Sequence, residues 1–211
     1  MRLFLSILLV VALGIGALAH LTQGFTALTA ETARRNDVAA SPRLISDVEV
    51  LLPTGGSTPL SSLLQNDGRI TIVNFIYTRC VTLCLAMGSE YQQLQKAILD
   101  EGLQDRVRLL SISFDPTDSP DHLRRYSKTM KADPAVWQFV TMMPGEQRQR
   151  VLDDFGIIVI PAPFDEYEHN AAYHVVSPEP RLGRIVDYGE PMLALAYAKR
   201  ALEDLDKKED R

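Results

Sequence analysis

The sequence predicts an α/β domain, a central mixed sheet with helices on both faces, behind an N-terminal membrane segment. Three observations carry this. The chain opens Met1-Arg2 and then runs apolar from Leu3 to Ala19, broken only by Ser6, Gly14 and Gly16. Two apolar, β-branched runs, Ile70 to Tyr77 and Val107 to Phe114, are each followed by helix-patterned sequence, the signature of parallel strands joined by helical crossovers. Near the C-terminus, Tyr173 to Ser177 and Arg184 to Tyr188 flank the turn Pro178-Glu179-Pro180-Arg181-Leu182-Gly183, which reads as an antiparallel hairpin.

The apolar opening, about 17 residues, lies between the length of a spanning helix and that of a signal-peptide core. It reads as an uncleaved anchor over residues 1–20, with Ala17-Leu18-Ala19 as the alternative cleavage site that would release a soluble protein. Arg2 then stays on the cytoplasmic side, and the chain after His20 is exported, to the periplasmic face of a bacterial-type inner membrane. Residues 21–43 are Thr/Ala-rich, mixed in charge and without sustained period, and read as a tether. Residues 44–206 fit one domain with a sizeable core, and 207–211 form a charged tail. A formal net charge of −5 argues against nucleic acid as a partner.

Within the domain, Val48 to Pro53 is a short strand closed by the turn Pro53-Thr54-Gly55-Gly56. Leu83, Met87, Tyr91, Leu94 and Ile98 recur at helical spacing, and Gly102 ends that helix. Ser119-Pro120 supplies an N-cap and a first-turn proline for a helix to about Met130. Trp137 to Val140 is a strand, and Glu146 to Phe155 a helix stopped at Gly156. Pro191 opens the last helix.

The only two cysteines, Cys80 and Cys84, stand where the first apolar strand gives way to helix pattern. With Cys80 in the first helical turn, the pair lies roughly 6 Å apart along the axis on one face. Sulfurs so placed can close a disulfide or converge on one metal ion, and the helix N-terminus favours the thiolate that either chemistry needs. In an exported chain the pair oxidises unless a thiol reductant keeps it open. A metal held by two thiolates needs a further ligand, and the chain holds four histidines. His20 belongs to the membrane junction, and His122 to the first turn of a surface helix. His174 sits inside a strand and reads as packing. His169, in the polar loop Asp165-Glu166-Tyr167-Glu168-His169-Asn170 ahead of that strand, is the preferred ligand. Asp115 and Asp118 read as loop and capping residues, and Tyr77 as a cover for the site.

The run Phe75-Ile76-Tyr77-Thr78-Arg79-Cys80-Val81-Thr82-Leu83-Cys84 resembles the Cys-x-x-x-Cys motif of the SCO/SenC copper proteins, which assist assembly of the copper centre of cytochrome c oxidase. Asp115-Pro116-Thr117-Asp118-Ser119-Pro120 resembles a second family segment, and His169, nine residues before Pro178, has the spacing of the family's metal-binding histidine from its hairpin turn. Val81 and Leu85 stand where the family commonly has proline, and Glu168 and Asn170 replace its Asp and Thr around the histidine, so the chain is similar to a divergent member. The resemblance implies a thioredoxin-like fold and copper, as Cu(I) or Cu(II), on Cys80, Cys84 and His169. It implies as partner a copper-receiving subunit of cytochrome c oxidase or another copper protein. A thiol–disulfide oxidoreductase using Cys80 and Cys84 on a copper-site apoprotein is the alternative. A peroxidase supported by Thr78 and Arg79, or a zinc site on the same ligands, fits less well.

Overall fold

The computed structural model describes residues 2–22, 29–80, 83–143 and 145–209, and for residues 2, 3, 21, 83–85 and 209 the backbone only. The chain divides into two units, Met1–Ser41 and Pro42–Arg211.

The first unit holds helix α1 (Arg2–Leu21) and helix α2 (Ala30–Ala40). From Phe4 to Leu18 the large apolar side chains of α1 are exposed. Among the described residues no helix is long and apolar enough to cross a membrane. Helix α2 falls in the stretch expected to be an irregular tether. Local polar contacts make it helical: the Thr29 hydroxyl accepts from the Thr32 amide at 3.1 Å, and Glu31 pairs with Arg34 and Arg35 at 2.9 and 2.8 Å.

The second unit runs β1 (Arg43–Leu44), β2 (Glu49–Leu51), β3 (Ser57–Pro59), α3 (Leu60–Gln65), β4 (Ile70–Ile76), α4 (Leu83–Asp100), β5 (Val107–Ser113), α5 (Pro120–Thr129) and β6 (Trp137–Met142). It continues with α6 (Glu146–Phe155), β7 (Val159–Ala162), β8 (Glu166–His169), β9 (Ala172–Val176), β10 (Arg181–Asp187) and α7 (Pro191–Glu209). Eight strands form one mixed sheet in the order β1-β10-β9-β4-β5-β6-β2-β3. β4, β5 and β6 are parallel, and β9 runs antiparallel along the other side of β4. Every residue of β4 and β5 is buried, as continuous apolar runs in the middle of a covered sheet must be.

Helices cover both faces. Tyr91 of α4 packs on Trp137 and Tyr173, and Phe139, stacked on Trp137, meets Tyr126 of α5. On the opposite face Phe155 of α6 packs on Phe75 and His174, and buried Arg108 donates to the Leu63 carbonyl of α3. A polar chain stitches the three parallel strands: Trp137 Nε1 donates to Ser111 Oγ at 2.9 Å, which donates to Asn74 Oδ1 at 2.7 Å.

Ser119 caps α5 as its Ser-Pro signal predicts, and Gly156 ends α6 in the left-handed region at φ 66°. The predicted hairpin is β9–β10, with its second strand starting earlier, at Arg181, across a register shift between Leu182 and Arg184. Strands β7 and β8 form a separate two-stranded sheet that the sequence reads as loop.

Candidate metal centre

Cys80 follows the C-terminal end of β4, the edge of a parallel sheet where open α/β folds place their sites. Its amide donates to the Tyr77 carbonyl at 3.2 Å, and the residue is 4 % exposed. The turn before it is clamped by two buried carboxylates from the loop between β5 and α5. Asp118 accepts from the Thr78 amide at 2.8 Å, the Thr78 hydroxyl at 2.5 Å and the Ser113 hydroxyl at 2.6 Å. Asp115 accepts from Arg79 Nη2 at 2.8 Å and from the amide and hydroxyl of Thr117 at 2.9 and 2.8 Å. Burial pushes the Asp115 carboxyl up, but the Arg79 and Thr117 hydrogen bonds outweigh it and hold it below its ordinary value. Both aspartates thus have the structural role the sequence gives them.

Cys80 itself lies outside any helix, directly after the turn at Thr78 and Arg79 that these clamps hold, and α4 is described from Leu83. Cys84 lies on α4. Its backbone is placed there, while its side chain, with residues 81 and 82, lies outside the described residues.

His169 is the last residue of β8, not a loop residue, and pairs in register with Val159 of β7. Its ring packs edge-on against Phe114 with centroids 5.0 Å apart and against Tyr77 at 6.1 Å. Nδ1 lies 2.9 Å from the Asn170 carbonyl. A carbonyl oxygen only accepts, so Nδ1 carries the proton and Nε2 the lone pair, the arrangement a metal-binding imidazole requires. Burial pushes the His169 pKa down, partly offset by the Asn170 carbonyl and by the nearby Cys80 charge, so the neutral ring is favoured.

Tyr77 joins the two halves. Its hydroxyl donates to Glu166 Oε2 at 2.5 Å and accepts from the Tyr167 amide at 3.4 Å. Burial, then the Glu166 carboxylate, drive the Tyr77 pKa up, so the phenol stays protonated. A second tie comes from Asn170, whose side-chain oxygen accepts from the Ile158 amide at 2.8 Å and whose side-chain nitrogen donates to the Gly156 carbonyl at 2.9 Å. The β7–β8 hairpin is therefore pinned to β4 by Tyr77 and to the end of α6 by Asn170. Nothing in the sequence singles out Glu166 or Asn170 for these roles. The usable signal is Tyr77, a buried tyrosine at a strand end, which needs a polar partner.

The His169 ring lies against Tyr77, near enough to Cys80 to feel its charge, and of the other histidines only His122 shares a cleft lining with Cys80 among the described residues. His174 is fully buried, with Nδ1 3.3 Å from the Val73 carbonyl and Nε2 3.2 Å from the Phe155 carbonyl. His122 closes the capping box of α5, accepting from the Ser119 amide, and His20 lies on α1. Among the described residues no group of three or more His, Cys, Asp and Glu is placed to hold a metal. Cys80 and His169 supply one thiol and one imidazole. The backbone of Cys84 lies on α4.

Comparison with known proteins agrees with this geometry. The family model described as SCO1/SenC matches residues 62–202. A SCO1 protein homolog of Bacillus subtilis (strain 168) is 30% identical over 121 residues, 56% of this chain and 62% of that protein, so the match spans less than two thirds of the relative's length. A SCO1/SenC family lipoprotein from Bacillus anthracis superposes with a TM-score of 0.65 at 20% identity, covering 76% of this chain and 96% of that one. Arabidopsis thaliana ScoI, solved with copper bound, gives 0.64 at 18%, covering 76% and 99%. The likeness of the structures establishes the thioredoxin-like α/β fold, and the family model, covering most of the domain around both Cys80 and His169, establishes the lineage: the chain belongs to the SCO1/SenC family.

Proposed function

We propose that this chain is a copper carrier whose cargo is held by Cys80, Cys84 and His169 and passed to a copper site, that of the copper-receiving subunit of cytochrome c oxidase being the one the family resemblance implies. The observation that carries the reading is that Tyr77 touches both residues, its ring lying against His169 and its carbonyl accepting from the Cys80 amide, with the imidazole lone pair on Nε2. Thiolates suit Cu(I), and an added imidazole lets the same set accept Cu(II). Cargo binding displaces thiol protons and requires the reduced cysteine pair, so loading falls at low pH and on oxidation, and a thiol reductant is a necessary partner. Equilibrium dialysis of the reduced chain tests this: the Cys80→Ser/Cys84→Ser double variant should lose copper, and full retention by that variant would sink the proposal.

Dithiol exchange with a copper-site apoprotein is the second reading, favoured by the placement of Cys80 at the base of an open cleft. His169→Ala separates the two, since copper retention should collapse while exchange of the dithiol continues.

Export and membrane attachment complete the proposal. The exposed apolar side chains of α1, among them Phe4, Leu5, Leu9 and Leu13, need cover that water does not give. Removal of residues 1–20 should release the protein from a washed membrane fraction. A full-length chain found wholly in the soluble fraction would count against an uncleaved anchor.

A further inference from the structure

On the side of Cys80 formed by α5 lies an open cleft of about 450 Å³. Its lining includes Arg79, Cys80, His122, Arg125 and Met130, and no carboxylate lines it among the described residues. Arg79 spends one guanidinium nitrogen on Asp115 and is still 42 % exposed. Arg125 is exposed and has no ionic partner among the described residues. In a chain of net charge −5 this is a local concentration of positive charge around a sulfur. The cleft falls within the size range of small-molecule sites, and Cys80, 4 % exposed, lines it.

We infer that this cleft binds a small carboxylate-bearing thiol, oriented by Arg125 and Arg79, which reduces the Cys80–Cys84 pair when it is oxidised. The inference rests on the dithiol reading above and names the site and chemical class of its reductant. The ligand thiolate attacks Cys80 Sγ, a new sulfur–sulfur bond forms, and the Cys80–Cys84 bond breaks with its electron pair leaving on Cys84, which takes a proton from water. A second thiolate attacks the ligand sulfur of the mixed disulfide and expels Cys80 as thiolate. Two ligand thiols are oxidised to one disulfide, and the protein pair gains two electrons.

The test uses the oxidised full-length chain and three probes, anionic glutathione, neutral 2-mercaptoethanol and cationic cysteamine, followed by the rate at which protein thiols appear. Glutathione reduction should saturate with concentration and weaken with salt. Arg125→Glu should slow it about tenfold and Arg125→Ala by less, with the 2-mercaptoethanol rate unchanged. A glutathione rate that stays linear in concentration, and a glutathione to 2-mercaptoethanol ratio equal in wild type and both variants, would overturn the inference. The underlying reading is scored separately: if 2-mercaptoethanol yields two thiols per chain and the reduced chain retains copper, only the cleft falls, whereas no gain of thiols with any probe removes both.

Discussion

The two sheets of this molecule are built on different principles, and the candidate site lies where they meet. The eight-stranded sheet is held by burial: all seven residues of β4 and of β5 are inaccessible, and helices cover both faces. The β7–β8 pair buries almost nothing of its own. Ile158 and Ile160 are exposed, and Phe164, with φ 65°, is 96 % exposed at its tip. Two isolated strands are marginal in water, so this hairpin owes its position to side-chain ties, Tyr77 to Glu166 and Asn170 to the end of α6. Of the proposed ligands, Cys80 is thus fixed by the core, and His169 by a few hydrogen bonds and by ring packing on Phe114 and Tyr77. That arrangement suits a carrier, because a ligand held by few bonds can be withdrawn when cargo leaves.

The sharpest way to break the contrast is to exchange its two histidines for alanine. His169→Ala should lower copper affinity by more than about 100-fold, since even the outer partners of a metal-bound histidine are worth roughly 10–100-fold. The apo protein should lose less stability than with His174→Ala, because His169 is half-buried with its ring on Phe114 and Tyr77, whereas His174 is fully buried. His174→Ala should do the reverse, costing about 2–4 kcal/mol of stability from a buried ring with carbonyl and aromatic neighbours, while folded molecules still bind copper. Dialysis against copper and urea unfolding of both variants check the pair. Equal loss of stability in the two would erase the proposed division between core and hairpin.

A smaller effect is expected from the tie itself. Tyr77→Phe keeps the ring packing on Phe114 and His169 but removes the hydroxyl that serves Glu166 and the Tyr167 amide. Stability should fall by about 1–2 kcal/mol and copper affinity by about tenfold. Hydrogen exchange should rise at the amides of β8 and not at those of β4. Uniform acceleration across both strands would show that Tyr77 supports the core rather than the hairpin.

The legibility of the sequence divides along the same line. β4, β5, the cap of α5 and the end of α6 at Gly156 are legible because period, proline and glycine signals are local. β8 is not, since Glu166-Tyr167-Glu168-His169 is too short and polar to show a period, and its strand character comes from pairing with β7. The turn ahead of Cys80 is hidden from the sequence for a related reason: the residues that hold Thr78 and Arg79 in it, Asp118 and Asp115, come from another loop, and no pattern around the cysteines reveals them. α2 escapes a sequence reading because capping and ion pairs, rather than an apolar face, sustain it. Loop position and family spacing favour His169 over His174 as ligand, and the structure places His169 beside Tyr77, on a strand rather than in a loop.

The mildest prediction concerns acid, and it sets the core half of the site against the hairpin half. The Asp115 carboxyl is held below its ordinary value by Arg79 and Thr117 against the cost of burial. Its folded-state pKa therefore lies below that of the unfolded chain, and the unfolded state binds more protons in the interval between them. Stability from this clamp is fully present above about pH 4 and is lost as pH falls through the folded value. Asp115→Asn should flatten that part of the profile, keeping a hydrogen bond but not the charge. Urea midpoints measured between about pH 5 and pH 2 would show it as a wild-type slope that the variant lacks. The turn preceding Cys80 should loosen first on acidification, seen as faster alkylation of the reduced cysteines relative to Asp115→Asn. Identical slopes in both proteins would mean that Arg79 orders the turn without help from the Asp115 charge.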